Sequence, residues 1–351
     1  MHSARHTLSL LSVVVPVYNE QQVLPAFIHR LSTVLGRLDV ANEIIFVNDG
    51  SDDATLDLLR QFRSENKAVG IVDLSRNFGK EIALTAGLDH ARGDAVIVID
   101  ADLQDPPELI PTLLRTWQEE GYADVVFAQR ISRAGESRIK KMTAYAFYRV
   151  INAIGGQRIP VDTGDYRLLS RRAVDALKQL HERHRFMKGL FAWIGFRQVA
   201  VPYERDSRFA GGTKWSYWRL WNFSIEGITS FSIAPLRISS YFGLFAAFVA
   251  MLYGTYMVVR TIFFGNPVAG YPSLLVIVLF MGGVQLISLG IIGEYLGRTF
   301  NEAKQRPLYL VNSFTPSERA ARAEIAVLSE AGSRDETIWR VETSAVPPES
   351  Q

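Results

Sequence analysis

Two aspartates follow a short apolar run near residue 100. The stretch Val96-Ile-Val-Ile-Asp100-Ala-Asp102-Leu-Gln104 places two carboxylates one residue apart, and Gln104 continues the same spacing. Alternation at a strand end puts Asp100 and Asp102 on one side, where they can direct Mg²⁺ or Mn²⁺ at a diphosphate. The structural alternative is a turn whose aspartates cap a helix that begins near residue 105. The D-x-D pattern alone does not separate these two interpretations.

The amino-acid composition limits the kinds of catalytic and metal site that the chain can form. The 351 residues include no cysteine, which excludes disulfides, thiol catalysis and thiolate metal sites, so any metal depends on carboxylates, amides or the six histidines. A net charge of +2 gives no broad electrostatic footprint for nucleic acid, and we expect no nucleic-acid partner. Neither G-x-G-x-x-G nor G-x-x-x-x-G-K-[ST] occurs, which argues against dehydrogenase and ATPase functions.

The first 200 residues alternate short β-branched runs with longer helical stretches. This pattern predicts an α/β domain with a mostly parallel sheet covered by helices. Because ligands gather at the carboxyl edge of such a sheet, functional residues are expected along that edge. The clearest predicted strands are 12–16, 43–48, 69–74, 95–100 and 124–128.

Two later segments, about 238–259 and 271–292, are each long enough to cross a hydrocarbon core of roughly 30 Å as a helix. Arg260 is the only charged residue between positions 238 and 293, whereas basic residues flank the outer ends. The positive-inside rule therefore places both termini in the cytoplasm and a short loop outside. Buried helices of a soluble core are the alternative, but such helices seldom run this long with so little polarity.

Further motifs occur in a characteristic order along the chain. They are Val13-Val-Val-Pro16-Val-Tyr18-Asn19-Glu20, then Asn48-Asp49-Gly50-Ser51-Asp52-Asp53-Ala-Thr55, then Asn77-Phe-Gly79-Lys80, then the D-x-D. This series resembles the family-2 glycosyltransferases, and the resemblance extends to about residue 170. It implies the nucleotide-sugar-binding fold called GT-A.

The resemblance also implies roles for individual residues. Asp102 with Gln104 would hold the metal, and Asp100 would lie on the sugar or ribose side. Asp49 would contact the base, whereas Gly50 and Ser51 also suit a tight turn after a strand. The full nucleotide-sugar set comprises Pro16, Tyr18, Glu20, Asp49, Lys80, Asp100 and Ala101.

The segment Pro160-Val-Asp162-Thr-Gly-Asp165-Tyr-Arg167 resembles the acceptor-side motif of polyprenyl-phosphate glycosyltransferases. Many relatives have Ser-Gly-Phe-Arg here, so the additional Asp165 leaves two candidate catalytic carboxylates. Asp162 is the first choice, Asp165 the second, and Asp100 completes the catalytic set. The alternative is a turn in which Asp162 caps and Arg167 pairs with it.

A lipid phosphate at the membrane surface requires several cationic donors. The segment Arg205-Asp-Ser-Arg208-Phe-Ala-Gly-Gly-Thr-Lys214-Trp resembles the R-x-x-R…G-x-[ST]-K-[YW] segment of the same family. Each of these basic residues taken singly could instead be a solvated surface charge, and Arg133 ranks below Arg205, Arg208 and Lys214. The expected lipid-phosphate ligands are Arg130, Arg138, Arg167, Arg205, Arg208 and Lys214.

These observations predict four regions. They are a GT-A catalytic domain (1–212), amphipathic interface helices (213–236), two transmembrane helices (237–298) and a partly disordered cytoplasmic tail (299–351). Ordinary core packing is the alternative for the aromatic and basic stretch that forms the second region.

The resemblance implies a metal-dependent hexosyltransferase of the inner or plasma membrane. It would transfer a hexose, with inversion, from a nucleotide-sugar to undecaprenyl phosphate at the cytoplasmic face, for modification of cell-envelope glycans. UDP-glucose is the favoured donor, while N-acetylglucosamine, galactose, aminoarabinose and mannose remain open. The family suggests a homo-oligomer, specifically a tetramer. A non-catalytic membrane subunit that retains the fold is the alternative from another functional class.

Overall fold

The computed structural model describes residues 8–131, 163–183, 185–204, 234–265 and 270–319. Its strands are β1 (Leu10–Val17), β2 (Ala41–Asn48), β3 (Val69–Leu74), β4 (Ala95–Val98), β5 (Val125–Arg130), β6 (Thr163–Ser170), β7 (Gln198–Tyr203) and β8 (Val311–Thr315). Its helices are α1 (Leu24–Leu35), α2 (Thr55–Glu65), α3 (Lys80–His90), α4 (Ile110–Glu119), α5 (Arg171–Lys178), α6 (Met187–Trp193), α7 (Ala234–Phe264) and α8 (Tyr271–Ala303). All five strands expected from the sequence are present.

The described strands form one mixed, mostly parallel sheet in the order β7-β5-β6-β4-β1-β2-β3-β8. Strands β4, β1, β2 and β3 are parallel to one another. Strand β6 is antiparallel to both of its neighbours, and β8 is antiparallel to β3. The expected α/β class with a mostly parallel sheet is confirmed.

Helices cover both faces of the sheet, which explains why its central strands are apolar throughout. All eight residues of β1 are buried, as expected for a parallel strand covered on both sides. Helix α1 shows how a covering helix forms: Pro25 suits its first turn, and its buried residues recur at helical spacing. Two apolar clusters, one on each face, fix the sheet between the helices.

Strand direction determines which residues meet at the sheet edge where the predicted site residues lie, here termed the functional edge. Strands β1 to β4 end at the same edge, where residues 18–20, 49–51 and 100–102 follow them. Because β6 is antiparallel, its first residues, Thr163 to Asp165, begin at this edge. Motifs far apart in sequence are therefore brought together by topology.

The two long apolar helices expected after residue 237 are present, although they are longer than the hydropathy pattern indicates. Candidate membrane spans are Pro235–Phe264 and Phe280–Ala303, with mean hydropathies of 1.9 and 1.3 and almost no burial. The Ser239 hydroxyl donates to the Ser288 hydroxyl at 2.8 Å between the helices. Helix α8 continues beyond the expected apolar segment into a more polar last section, where Glu294 and Arg298 pair one turn apart, 3.0 Å between charged atoms.

The tail expected from residue 299 is ordered at its start. Residues 299–303 continue α8, and Val311–Thr315 form β8 at the sheet edge beside β3. The sequence predicts no strand here, because five mixed residues without clear alternation resemble a loop until a partner edge is known. Residues 213–233 of the expected interface helices lie outside the described residues.

The turn after β2 has a backbone that requires glycine. Gly50 has φ +65°, and a Cβ added there would lie 2.4 Å from the carbonyl carbon of Arg76 and 2.6 Å from the backbone nitrogen of Asn77. Gly121 has a similar φ of +67° but open space around the Cβ position. The role of Gly50 in backbone geometry, left open by the sequence, is therefore supported.

These two glycines provide a matched test of the turn. Gly121→Ala should lower the free energy of unfolding by about 1–2 kcal/mol, the cost of a left-handed conformation for an L-residue. Gly50→Ala should lower it further, because the backbone at Arg76 must also move. Thermal unfolding of the detergent-solubilised protein measures both variants, and equal melting temperatures would contradict this account.

Candidate active site

The D-x-D motif forms a tight loop beyond the end of β4. Leu103 has φ +59°, which turns the chain back, and the Asp102 Oδ1 accepts from the Gln104 backbone amide at 3.1 Å. Neither the 3₁₀ turn at Pro107–Leu109 nor α4 has a side-chain cap. The alternative in which these aspartates cap the next helix is therefore wrong, and Asp102 instead closes its own turn.

Lys80 connects the two motifs predicted to carry chemistry. Its Nζ donates to Asp100 Oδ2 and to Asp165 Oδ2, at 2.6 Å in each case. Asp100 follows β4, Asp165 lies in β6, and Lys80 is the first residue of α3. One ammonium group thus joins the D-x-D loop to the Asp165 segment across the functional edge.

The two carboxylates that share Lys80 differ in their electrostatics. Burial raises the pKa of Asp100 to about 6, despite the attraction of Lys80. Burial would also raise the pKa of Asp165, but Lys80, Lys188 and Arg167 outweigh it and hold that pKa well below its usual range. Asp165 is therefore firmly ionised and a weak proton acceptor.

Each carboxylate of this pair keeps one buried oxygen that has no hydrogen-bond partner within the described part of the chain. These atoms are Asp100 Oδ1 and Asp165 Oδ1. Buried polar atoms are normally satisfied, so unpaired acceptors at one edge indicate a place for a ligand. Because Asp100 Oδ2 is already bound to Lys80, its Oδ1 is the atom available to a cation or a sugar hydroxyl.

Glu81 is a half-buried acid at this edge that no sequence motif identifies. Burial, followed by repulsion from Asp165, raises its pKa to about 7. Its Oε2 is also buried and lacks a hydrogen-bond partner among the described residues. The sequence offers no signal for it, because an acidic residue in the first turn of a helix normally stabilises the helix dipole at the surface.

On the other side of the D-x-D loop, Arg130 extends from the end of β5. Its Nε lies 3.4 Å from the Tyr203 hydroxyl, which donates to Asp105 Oδ1 at 2.5 Å. Asp105 and Asp100 both contribute to the electrostatic field at the guanidinium. The structure therefore places Arg130 at the functional edge, where the sequence expects it.

Arg167 has a different environment. It is 3% exposed, and its guanidinium donates to the Gly164 carbonyl at 2.8 Å and lies 3.7 Å from the centroid of the Phe191 ring. These contacts fix the start of β6 against α6. The expected role of Arg167 in binding a lipid phosphate gains no support from this placement.

Two loops on the expected donor side of the edge are hydrogen-bonded to each other. The Asn19 amide donates to Ser51 Oγ at 3.0 Å, and the Glu20 amide donates to Thr55 Oγ1 at 2.9 Å. Ser51 and Thr55 therefore position the backbone beside Tyr18, whose side chain is 40% exposed. Pro16 and Ala101 are buried in the framework of the same edge.

Asp49 is buried at the end of β2. Its Oδ1 accepts from the Phe78 amide at 2.7 Å and its Oδ2 from the Gly79 amide at 2.9 Å. Burial raises its pKa in spite of these bonds. Asp49 thereby attaches β2 to the start of α3, directly before Lys80, and its expected contact with a base remains a prediction.

Several predicted site residues lie outside the described residues. They are Asp162, Arg138, Arg205, Arg208 and Lys214, together with the lower-ranked Arg133. Asp162 directly precedes Thr163, the first residue of β6, so only its position in the chain relates it to the edge.

The side chains at the D-x-D loop suit a hard divalent cation. Asp100 offers an unpartnered buried oxygen, and Asp102 and Gln104 add a carboxylate and an amide, which are ligand types that Mg²⁺ and Mn²⁺ prefer. Among the described residues, no group of three or more acidic or histidine side chains is arranged to hold a metal alone. The donor set therefore fits an ion that takes further ligands from a bound molecule.

Comparison with known proteins identifies the family to which the chain belongs. The profile of Glycosyl transferase family 2 matches residues 12–178, and that of the GtrB C-terminal hairpin matches residues 234–299. An uncharacterised glycosyltransferase of Synechocystis is 55% identical over 302 residues, which cover 86% of this chain and 94% of the relative. The chain belongs to glycosyltransferase family 2.

Two further relatives of this family-2 glycosyltransferase have more specific names. The bactoprenol glucosyl transferase of Shigella phage SfX is 48% identical over 303 residues, covering 86% of this chain and 99% of that protein. The prophage bactoprenol glucosyl transferase homolog of Escherichia coli is 48% identical over 301 residues, covering 86% and 98% respectively. The similarity thus includes the hairpin as well as the sheet domain.

Lys80→Met tests whether the shared ammonium is essential to this glycosyltransferase. The substitution keeps an unbranched side chain but leaves Asp100 and Asp165 without their common cation, so we expect kcat for sugar transfer to fall on the order of 10²-fold. Steady-state kinetics measures the change. Lys178→Met removes a lysine whose Nζ donates to the Asp89 carbonyl and serves as the control. A kcat within twofold of wild type for Lys80→Met would contradict the assignment.

Proposed function

We propose that the protein transfers a hexose, with UDP-glucose the favoured donor, to the phosphate of a polyprenyl phosphate at the cytoplasmic face of the membrane. The observation that carries the proposal is the bridge from Lys80 to Asp100 and Asp165, 2.6 Å to each. It joins the motif expected to hold the donor diphosphate to the segment expected to receive the acceptor. A site that brings two anionic substrates together needs such a fixed arrangement of charge.

The choice of acceptor and sugar rests on the relatives. Two proteins that are 48% identical over most of this chain are named as bactoprenol glucosyl transferases or their homologues. Their identity extends through the hairpin, which supports a shared lipid carrier. N-acetylglucosamine, galactose, aminoarabinose and mannose are the alternatives that a donor assay distinguishes.

The proposed reaction is a single displacement. A phosphate monoester with a second pKa near 6 is largely ionised at neutral pH, so its oxygen can attack the anomeric carbon without a strong base. The new bond forms between that oxygen and the anomeric carbon. The bond from this carbon to the nucleoside diphosphate breaks, and the electron pair leaves with the diphosphate. Attack opposite the leaving group inverts the anomeric centre.

The electrostatics of Asp165 support a positioning role. Its pKa is held well below the usual range, chiefly by Lys80 among the neighbouring cations, so it removes a proton poorly. It instead keeps the Lys80 ammonium charged and oriented beside Asp100. Asp162, which directly precedes Thr163, remains the first candidate for contact with the acceptor, and because the acceptor phosphate is already largely ionised, its proposed role is also positioning.

Asp102 and Gln104, together with the unpartnered oxygen of Asp100, are the proposed ligands of Mg²⁺ or Mn²⁺. A divalent cation bound there would supply positive charge to the departing diphosphate. Arg130, at the same edge, has the guanidinium chemistry that binds a phosphate in two hydrogen bonds. Arg138, Arg205, Arg208 and Lys214 are proposed to complete the cationic set around the acceptor.

The hairpin is proposed to place this chemistry at the inner or plasma membrane. Helices α7 and α8 are long and apolar enough to cross a bilayer, and their large apolar side chains are mostly exposed. The distribution of basic residues supports cytoplasmic termini and a cytoplasmic catalytic domain. Association of several copies, with a tetramer as the expected state, would give these exposed helix faces additional packing partners.

A transfer assay tests the proposal. Purified protein in detergent is incubated with undecaprenyl phosphate, Mg²⁺ or Mn²⁺ and each of a panel of labelled UDP- and GDP-sugars. We expect label in the lipid phase from UDP-glucose, lost on chelation of the metal and reduced at least about 10²-fold by Asp102→Ala.

Asp57→Ala is the matched control, because it removes an exposed aspartate that pairs with Arg60 on α2. This variant should transfer sugar at the wild-type rate. If folded wild-type protein labels the lipid from no donor in the panel, the proposal is wrong, and the alternative of a non-catalytic membrane protein that retains the fold is favoured.

A further inference from the structure

Residues 309–319, here termed the tail segment, follow the hairpin and return to the sheet domain. The segment lies beyond both matched family regions, which end at residues 178 and 299. Its strand β8 pairs antiparallel with β3, and the Ser75 amide donates to the Leu310 carbonyl at 2.9 Å. It thereby covers the edge of β3, which would otherwise present unpaired backbone groups.

The tail segment is attached to the domain by side chains along its length. The Tyr309 hydroxyl donates to Asp89 Oδ2 at 2.9 Å, and the Phe314 ring lies 4.4 Å from the His90 ring, centroid to centroid. The Ser317 hydroxyl, 2% exposed, donates to the buried Glu43 at 2.9 Å. A chain segment with buried polar partners is part of the folded domain.

Asn312 is distinguished by a β-bulge. Asp73 pairs with Ser313 and Leu74 with Val311, so Asn312 is the extra residue in β8. A bulge redirects the side chain at the point where it occurs. The Asn312 side-chain amide donates to Asp73 Oδ2 at 2.8 Å.

Asp73 transmits this contact towards the donor side. It is 4% exposed, and its other oxygen, Oδ1, accepts from the Asn48 side-chain amide at 2.7 Å. Asn48 Oδ1 in turn accepts from the Ser51 backbone amide at 3.3 Å. The chain of bonds therefore passes from the tail segment through β3 to the turn after β2.

This turn is closely packed and hydrogen-bonded within the proposed donor site. Gly50 lies against the backbone of Arg76 and Asn77, and Ser51 Oγ accepts from the Asn19 amide at 3.0 Å, next to Tyr18. The Asp49 carboxylate is bound to the two amides that precede Lys80. A displacement of Asn48 therefore affects both donor-side loops.

We infer that Asn312 is a positioning residue for the donor-binding loops, acting through Asp73 and Asn48. The inference rests on the proposed function for its donor site. It assigns a role to a segment outside the matched family regions and connects the cytoplasmic end of the hairpin to nucleotide binding. Its consequence is that substitutions that break the Asn312–Asp73–Asn48 chain of bonds weaken donor binding without touching the ligand.

Charge exchange between positions 73 and 312 tests the inference. Asn312→Asp places two carboxylates face to face and should break the chain of bonds. Asp73→Asn alone should be tolerated, because the Asn312 amide can turn to present its oxygen. The double variant Asp73→Asn/Asn312→Asp restores a donor opposite an acceptor and should recover wild-type behaviour. Arg319→Ala is the control, because it removes a contact of the tail segment with Asn42 that does not reach Asn48.

Two readouts are taken from the full-length protein in detergent. Hydrogen exchange over residues 48–53 reports the turn without any ligand. Calorimetry gives the Kd of uridine diphosphate with Mn²⁺, and kinetics gives donor KM and kcat. For Asn312→Asp we expect faster exchange in this segment and a Kd and KM raised about threefold to tenfold, with kcat within twofold. The exchange rate, Kd and KM should return to wild-type values in the double variant and should remain at wild-type values in Arg319→Ala.

Unchanged exchange over residues 48–53 in a folded Asn312→Asp protein would overturn the inference, as would failure of the double variant to restore it. Equal loosening in Arg319→Ala would show that the tail segment acts only as a general attachment, which also overturns it. If wild-type protein binds no uridine diphosphate, the proposed donor is wrong, whereas the exchange measurement still decides the role of Asn312 in the turn.

Discussion

The arrangement of side chains at the functional edge depends on the two ion pairs of the Lys80 ammonium. Asp100 and Asp165 arrive from neighbouring antiparallel strands, and two carboxylates that share one ammonium at 2.6 Å repel each other unless that cation lies between them. The bond from Asp49 to the amides of Phe78 and Gly79 fixes the residues immediately before Lys80. Residues on or just after β2, β4 and β6 therefore fix the position of the Lys80 ammonium. The ammonium in turn anchors the D-x-D loop through Asp100.

Much of the fold is predictable because its signals are local. Five strands, the parallel character of the sheet and the two apolar helices follow from runs of β-branched residues, alternation with helices and hydropathy. The antiparallel return of β6 and the addition of β8 are not predictable in this way, since each is defined by a distant partner edge. Hydropathy likewise finds the apolar part of α8 but not its polar end.

The candidate site likewise has residues that local sequence signals identify and features that depend on distant parts of the fold. Asp100 and Asp102 are singled out by motif and spacing, and Asp165 by the family resemblance, because each lies within a short contiguous sequence pattern. The link through Lys80 requires strand order, and the environment of Glu81 requires the packing of α3 against its neighbours. Arg167 was expected at the lipid phosphate, and this role stays a prediction that the placement of its guanidinium, against a backbone carbonyl and the Phe191 ring, does not support.

Binding of Mn²⁺, followed by electron paramagnetic resonance of the free ion, tests the central claim most directly. In the proposed site the D-x-D loop would offer two carboxylates and an amide, too few ligands for a complete shell, and a bound diphosphate would add further oxygen ligands. We therefore predict that wild-type protein removes much more free Mn²⁺ signal when uridine diphosphate is present than when it is absent, and that Asp102→Ala abolishes the difference. The same signal with and without the nucleotide in wild-type protein would contradict the account.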